Sequence, residues 1–368
     1  MRKKIRLLYF GSDFQIGLTQ AQTEQIEHLA KQDSIELFCI SSENEQEPGL
    51  HDRLQGANVR MNIVKGLDTH ANFKELCSQI AKIIKANNIT HVNVHNNWQL
   101  ALMSRLKCNP LNGIKVKLIY TIHGYRHNHP LKAILAIASI GGALALFADR
   151  VISMSDYVSR RFWFLNHKMD RIFYMMNKPE YHKKENIIDT THLEMVFPAQ
   201  FRKGKRQEML IDALKLYMKR TGDNTPILHL PGNGPLLENI KEHAVKTGVA
   251  ANVKFYGKIS LSEVISLYER SNIALCSTNV ETYGRCIAEP FMLGRCVITQ
   301  KTGVAGDIIR DGENGFLFKT AEDLASILEY LHNNPSIIKD VANNAFKERE
   351  IFFPDRVMES YIASLEKA

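Results

Sequence analysis

The chain contains no C-x-x-C pair; its six cysteines, Cys39, Cys77, Cys108, Cys276, Cys286 and Cys296, are scattered through 368 residues. That spacing argues against a zinc ribbon and against a disulfide framework, and it fits a reduced, cytosolic setting. No D-x-D triplet occurs, so a paired-aspartate metal site has no support. G-x-G-x-x-G is missing as well, and with it the dinucleotide fingerprint. There is no low-complexity tract and no short repeat. No apolar run reaches the roughly 20 residues of a membrane span; the longest uncharged apolar run, Ala133 to Ala148, has sixteen. The start, Met1 to Arg6, is basic like a signal peptide, but the apolar run Leu7 to Phe10 ends at Gly11-Ser12-Asp13 and reads as a first buried strand. Acid is also in short supply. With 39 Asp and Glu against 47 Lys and Arg, the net charge is +8. An anionic partner follows, a phosphate-bearing ligand or a membrane surface. The cations form no recognised nucleic-acid module, so nucleic acid is not expected.

What is present is a two-domain length with 45% hydrophobic and 23% charged residues, enough for packed cores. Short apolar or β-branched runs alternate with helical patterns. Strands are expected at Ile5 to Phe10, Ile35 to Ile40, Val59 to Val64, His91 to His95, Val116 to Ile122 and Arg150 to Met154. A second series is expected at Leu193 to Phe197, Ile227 to Leu230, Val253 to Tyr256, Ile273 to Cys276, Cys296 to Ile298 and Gly315 to Phe318. Helices are expected at Thr19 to Lys31 and at Phe73 to Ala86, where Leu76, Ile80, Ile83 and Ile84 recur at helical spacing. Such alternation means α/β architecture with parallel sheets: two doubly wound, Rossmann-like domains whose strand ends and loops are expected to face one another across a cleft. The expected division is 1–188, 189–350 for a nucleotide-binding domain, and 351–368 as a helix returning to the first domain, with the link in the polar stretch His182 to His192.

The chemistry concentrates in Val280-Glu281-Thr282-Tyr283-Gly284-Arg285-Cys286-Ile287-Ala288-Glu289-Pro290. Two glutamates stand eight positions apart, one on a loop after a strand and one inside a helix. Gly284 permits a tight turn and close approach of backbone to ligand, and amides at a helix start favour phosphate. Met292 to Ile298, then Thr302-Gly303-Val304-Ala305-Gly306-Asp307, then Asp311 to Phe316 follow in order. Gly232-Asn233-Gly234-Pro235 and Gly257 follow earlier strands. This order resembles the signature of glycosyltransferase family 4, a GT-B-fold group with an E-x7-E element, over about Leu193 to Phe318.

The resemblance implies that Glu281 touches hydroxyls of a donor sugar and Glu289 the ribose hydroxyls, with Gly284, Arg285 and Cys286 at the nucleotide-sugar. It implies a cation for the leaving diphosphate on the loop Phe197 to Lys205. The family carries Gly-Arg after the apolar run and Lys five positions beyond that Arg. Here Lys205 matches the lysine, Ala199-Gln200 stands for Gly-Arg, and Arg202 or Lys203 is expected to reach in instead. In the first half, Gly17 corresponds to a glycine near the donor phosphates, and His123, before Gly124, to a histidine contacting the donor sugar. His127 and His129 lie near His123 with no cysteine or carboxylate among them, so no metal is expected. The implied activity is retaining transfer of a sugar from a UDP- or GDP-linked donor to a glycan or lipid-linked acceptor in surface polysaccharide biosynthesis, with no divalent metal or other cofactor. A GT-B sugar-nucleotide epimerase and an inactive GT-B partner subunit are the alternatives. The run Ala133 to Ala148, opened by Pro130, reads either as a buried helix or as one seated on a membrane surface. Eight cations (Arg150, Arg160, Arg161, Lys168, Arg171, Lys178, Lys183, Lys184) against three acids follow up to Lys184, and Arg160-Arg161-Phe162-Trp163-Phe164 mixes cations with aromatics. Peripheral contact through 131–184 at the inner face of the cell membrane is therefore expected.

Overall fold

The computed structural model describes residues 4–11, 20–43, 49–67, 72–123, 130–177, 181 and 187–368. Gly17, Gly124, His127, His129, Lys178, Lys183 and Lys184 lie outside them. The chain forms two compact units. One comprises Met1–Met154, Val158–Met175 and Phe353–Ala368; the other comprises Ser155–Tyr157 and Met176–Phe352.

The first unit is built on a parallel sheet of β1 (Ile5–Phe10), β2 (Ile35–Ser41), β3 (Arg60–Ile63), β4 (His91–Val94), β5 (Lys117–Ile122), β6 (Arg150–Ser153) and β7 (Met169–Arg171). Its order is β3-β2-β1-β4-β5-β6-β7. The second unit holds β8 (Glu194–Val196), β9 (Ile227–Pro231), β10 (Val253–Gly257), β11 (Ile273–Cys276), β12 (Cys296–Thr299) and β13 (Phe316–Leu317), in the order β10-β9-β8-β11-β12-β13. Every strand pairing among the described residues is parallel. Central strands covered on both faces read as continuous apolar runs, and Ile273–Cys276 and Cys296–Thr299 are buried at every position.

Each sheet reverses direction once. In the first unit the reversal lies between β1 and β4, in the second between β8 and β11. The loops leaving the carboxyl ends of two neighbouring strands there diverge, and the gap between them is where open α/β sheets take ligands.

Local chemistry sets the helix starts. Asn72 accepts from the Glu75 amide to open the helix Phe73–Ala86. Ser260 with Glu263, and Thr320 with Asp323, form reciprocal capping boxes at two helices of the second unit.

Two features depart from the sequence reading. Strand β7 was not expected: it is three residues long, contains Asp170, and among the described residues is an edge strand paired with β6 alone, so it carries no apolar run. The chain leaves the first unit at Met176 and returns at Phe353, whereas the sequence reading puts the link between His182 and His192. The last helix, Pro354–Glu366, clusters with the first unit, the one the sequence reading has it return to. There Asn93 donates to Tyr361 and Ser364 donates to Asp170 at 2.7 Å, with Val357, Tyr361 and Leu365 buried.

The run opened by Pro130 is a helix, Pro130–Phe147, and its described part has two faces. Gly141 and Leu144 are buried, whereas Ala138, Gly142, Ala145 and Leu146 are exposed. Gly141 is a close-approach glycine: a Cβ there would meet the Phe164 ring at 2.4 Å. Among the described residues no helix is long and apolar enough to cross a membrane. Among the described cations after it, Lys168 and Arg150 are engaged inside the unit. Lys168 Nζ donates to the Ala145 and Ala148 carbonyls at 2.8 Å, capping the helix, and Arg150 pairs with Asp170 at 2.6 Å. Phe162 and Leu165 turn inward, whereas Trp163 is 70% exposed.

Candidate active site

The loop that follows β8 and the loop that follows β11 meet at the reversal point of the second sheet. Lys205 comes from the first and Glu281 from the second, and the lysine ammonium bonds the Glu281 carboxylate. Both side chains are largely buried, at 12% and 8% exposure. Removing two charges from water is costly, and close pairing offsets that cost. A buried pair of opposite charge at a sheet reversal can divide its work: a cation for an anionic group, a carboxylate for hydroxyls.

Backbone contacts hold the pair in place. Ser277 Oγ donates to the Lys205 carbonyl at 2.7 Å, and the Asn279 amide donates to Gly204 at 3.3 Å, tying the two loops together. The Glu281 amide donates to Thr302 Oγ1 at 2.7 Å, and the Val304 amide to the Tyr283 carbonyl at 2.7 Å, bringing in the loop after β12. That closeness requires Gly303: its φ is +53°, and an added Cβ would lie 2.2 Å from the Tyr283 carbonyl oxygen. Gly232, in the loop after β9, is under the same constraint, with φ +143° and a Cβ position 1.9 Å from the Ala199 carbonyl oxygen.

Gly284, at φ +88°, caps the helix Arg285–Met292. The first amides of a helix have no partner inside it and point outward. Arg285 Nε donates to Glu289 Oε1 at 2.7 Å, one turn apart, and Glu289 is 5% exposed. Tyr181 packs against this pair; burial, then the Glu289 charge, pushes its hydroxyl well above the ordinary tyrosine range. The Cys286 side chain faces the interior, where its Sγ donates to Cys276 Sγ at 3.5 Å. That contact, then burial, holds the Cys286 proton on. Any part Cys286 plays toward a ligand therefore falls to its backbone amide.

In the turn before Lys205, the Arg202 amide donates to the Gln200 carbonyl at 3.0 Å and the Lys205 amide to the Arg202 carbonyl at 3.1 Å. Gln200 and Lys203 are exposed and Arg202 is half-buried.

His123 belongs to the first unit, at the end of β5. Its Nε2 lies 2.7 Å from His95 Nδ1 and 3.3 Å from Gln22 Nε2, and its Nδ1 bonds the Tyr174 hydroxyl. Burial lowers its pKa to about 4, and burial also holds His95 well below the ordinary histidine value. Both rings are neutral at neutral pH. Gly17 lies outside the described residues.

Sequence reasoning missed Thr302, Tyr181, His95 and Tyr174. His95 carried a signal, since it closes the apolar run of β4 as His123 closes β5. Tyr174 sits beyond the short edge strand β7 and carried none.

The two parallel-sheet Rossmann-like units are those of the GT-B glycosyltransferase fold. HepE of Anabaena, solved with UDP, superposes with a TM-score of 0.77 at 15% identity over 99% of this chain and 100% of that one. Residues 177–348, almost all of the second unit, match the family model described as Glycosyl transferases group 1. EpsD of Bacillus subtilis (strain 168) is 24% identical over 301 residues, 76% of this chain and 77% of that protein. Alpha-monoglucosyldiacylglycerol synthase of Streptococcus pneumoniae is 29% identical over 140 residues, 38% of this chain and 32% of the synthase.

Proposed function

We propose that the protein is a retaining glycosyltransferase that moves a sugar from a UDP- or GDP-linked donor to a glycan or lipid-linked acceptor in surface polysaccharide biosynthesis. The observation that carries this reading is the Lys205–Glu281 pair at the sheet reversal of a group 1 glycosyl transferase domain. The UDP bound by HepE favours UDP as the leaving group. Donor binding exchanges the pair's mutual bond for two others: Lys205 to the diphosphate and Glu281 to sugar hydroxyls. Gly284 gives the backbone its approach, the amides of Arg285 and Cys286 face the phosphates, and Glu289, steadied by Arg285, accepts from the ribose diol. Arg202 stands in for the cation that Gln200 does not supply. The family resemblance gives His123 a contact with the donor sugar and Gly17 one with the donor phosphates.

The bond from the anomeric carbon to the diphosphate oxygen breaks through an oxocarbenium-like state. The acceptor oxygen adds on the same face and passes its proton to the departing diphosphate. Catalysis is then positioning plus charge stabilisation at the leaving group. The lack of any D-x-D triplet supports a reaction without a resident divalent cation. The test is donor kinetics on Glu289→Ala. Ribose contacts are made before and during reaction alike, so donor KM should rise with kcat little changed. A collapse of kcat at unchanged KM would overturn the assignment of the two glutamates.

The first unit's exposed face favours a peripheral membrane contact from the cytosolic side. Trp163 and Leu146 are 70% and 78% exposed, and Arg160 and Arg161 flank the aromatics. The lipid product in the name of the streptococcal relative is in keeping with this. Each cation near an anionic bilayer contributes about 1 kcal/mol, screened over about 8 Å at physiological salt. Vesicle co-sedimentation should require acidic lipid and weaken with salt, and a double change of Arg160 and Arg161 to Glu should weaken it further. Equal binding to neutral vesicles, or none to acidic ones, would contradict the contact.

A further inference from the structure

The contacts of His123 raise a question its role does not answer: both ring nitrogens already face protein groups, so what sets the position of its proton? Its Nε2 is approached by His95 Nδ1 at 2.7 Å and by the Gln22 side-chain nitrogen at 3.3 Å, and its Nδ1 by the Tyr174 hydroxyl. Two neutral imidazoles in contact share one proton along the line between them, and only two arrangements exist.

In the first, His95 Nδ1–H donates to a bare His123 Nε2, and His123 Nδ1–H donates to Tyr174. The Gln22 amide then also faces a lone pair, and His95 Nε2 carries a lone pair. In the second, His123 Nε2–H donates to His95 Nδ1. The Gln22 amide then confronts another N–H, and the His95 proton is forced onto Nε2. Among the described residues that Nε2 is buried with no hydrogen-bond partner, on a residue only 6% exposed. A buried N–H without an acceptor is rarer in native structures than a buried acceptor without a donor. Both observations favour the first arrangement.

His95 is itself rigidly held. Its amide donates to Gln99 Oε1 at 2.8 Å, and the Gln99 amide group reaches the Gly11 carbonyl at 2.8 Å, across the β1/β4 reversal of the first sheet. Its ring lies 4.5 Å from Tyr9 and 4.9 Å from His123, centroid to centroid.

We propose that His95 is a positioning residue for His123, donating from Nδ1 to fix it as the Nδ1–H tautomer with its ring aligned on Tyr174. His123 then presents a defined edge to a ligand instead of a mixture of two, which rests on the reading of His123 as a donor-sugar residue. Asparagine places an amide N–H close to where histidine places Nδ1–H, whereas leucine offers none.

The test is a long-range proton–nitrogen correlation spectrum of the full chain labelled with nitrogen-15 in histidine, with His123 assigned by its loss in His123→Asn. The expected wild-type result is a protonated Nδ1 and a bare Nε2 on His123. His95→Leu should convert His123 to the other tautomer or a mixture, and His95→Asn should keep it. Alongside, transfer should fall on the order of 10- to 100-fold in His95→Leu and recover in His95→Asn. A proton on His123 Nε2 in the wild type, or a tautomer indifferent to His95→Leu, overturns the proposal. So does full transfer by His95→Leu with its tautomer changed. The wild-type spectrum needs neither turnover nor a variant that folds. It therefore fails separately from the glycosyltransferase reading, which an absence of transfer in the wild type would contradict.

Discussion

Glu281→Gln should leave a folded protein that has lost on the order of 100-fold or more of its transfer rate. The Glu281 side chain is 8% exposed and its amide is pinned to Thr302, so the side chain has little room to relocate. Glutamine keeps one oxygen for the Lys205 ammonium but cannot accept from two hydroxyls of a vicinal diol through both of its terminal atoms. A preorganised polar group removed at the reacting centre typically costs about 10²- to 10³-fold in kcat. The checks are steady-state kinetics and circular dichroism together. Wild-type turnover in Glu281→Gln would remove Glu281 from the donor sugar, however well the variant folds.

Lys205→Ala should have two effects of separate origin. Transfer should fall by about 10²- to 10³-fold, because the leaving diphosphate loses its cation. Stability should fall by about 3 kcal/mol, the lower part of the range for breaking a buried ion pair at one partner, because the Glu281 carboxylate keeps its burial and loses the ammonium. For units of this size that lowers Tm by roughly 6 to 12 °C. The double variant Lys205→Met with Glu281→Gln separates the effects, since it removes both charges at once. Much of the lost stability should return with no return of activity. If Lys205→Ala transfers normally, the loop after β8 is not at the leaving group.

How much of this was legible beforehand follows from where each signal resides. Strands such as Ile5–Phe10 and Ile273–Cys276 read directly, because a strand covered on both faces is a run of apolar residues with polar ends. Strand β7 did not, since an edge strand of three residues with Asp170 paired to Arg150 has no such run. Glu281, Lys205 and Glu289 were legible as candidates because the order of motifs around them resembles the signature of glycosyltransferase family 4. The direct Lys205–Glu281 bond was not, since it depends on two loops 76 positions apart converging at a sheet reversal. The segment 131–184 divides the same way. Its composition showed cations and aromatics, but only the fold reveals that Lys168 caps a helix while Trp163 faces out.

The central claim is that the β8/β11 reversal of the second unit is a nucleotide-diphosphate site built from Lys205, Glu281 and Glu289. Calorimetric titration of UDP and GDP into the wild type, Lys205→Ala and Glu289→Ala tests it most directly. One site per chain for one of the two nucleotides is expected, weakened on the order of tenfold or more in each variant, since each loses about 1.4 kcal/mol or more of contact. Binding undiminished in both variants, or no binding of either nucleotide by the wild type, would contradict it.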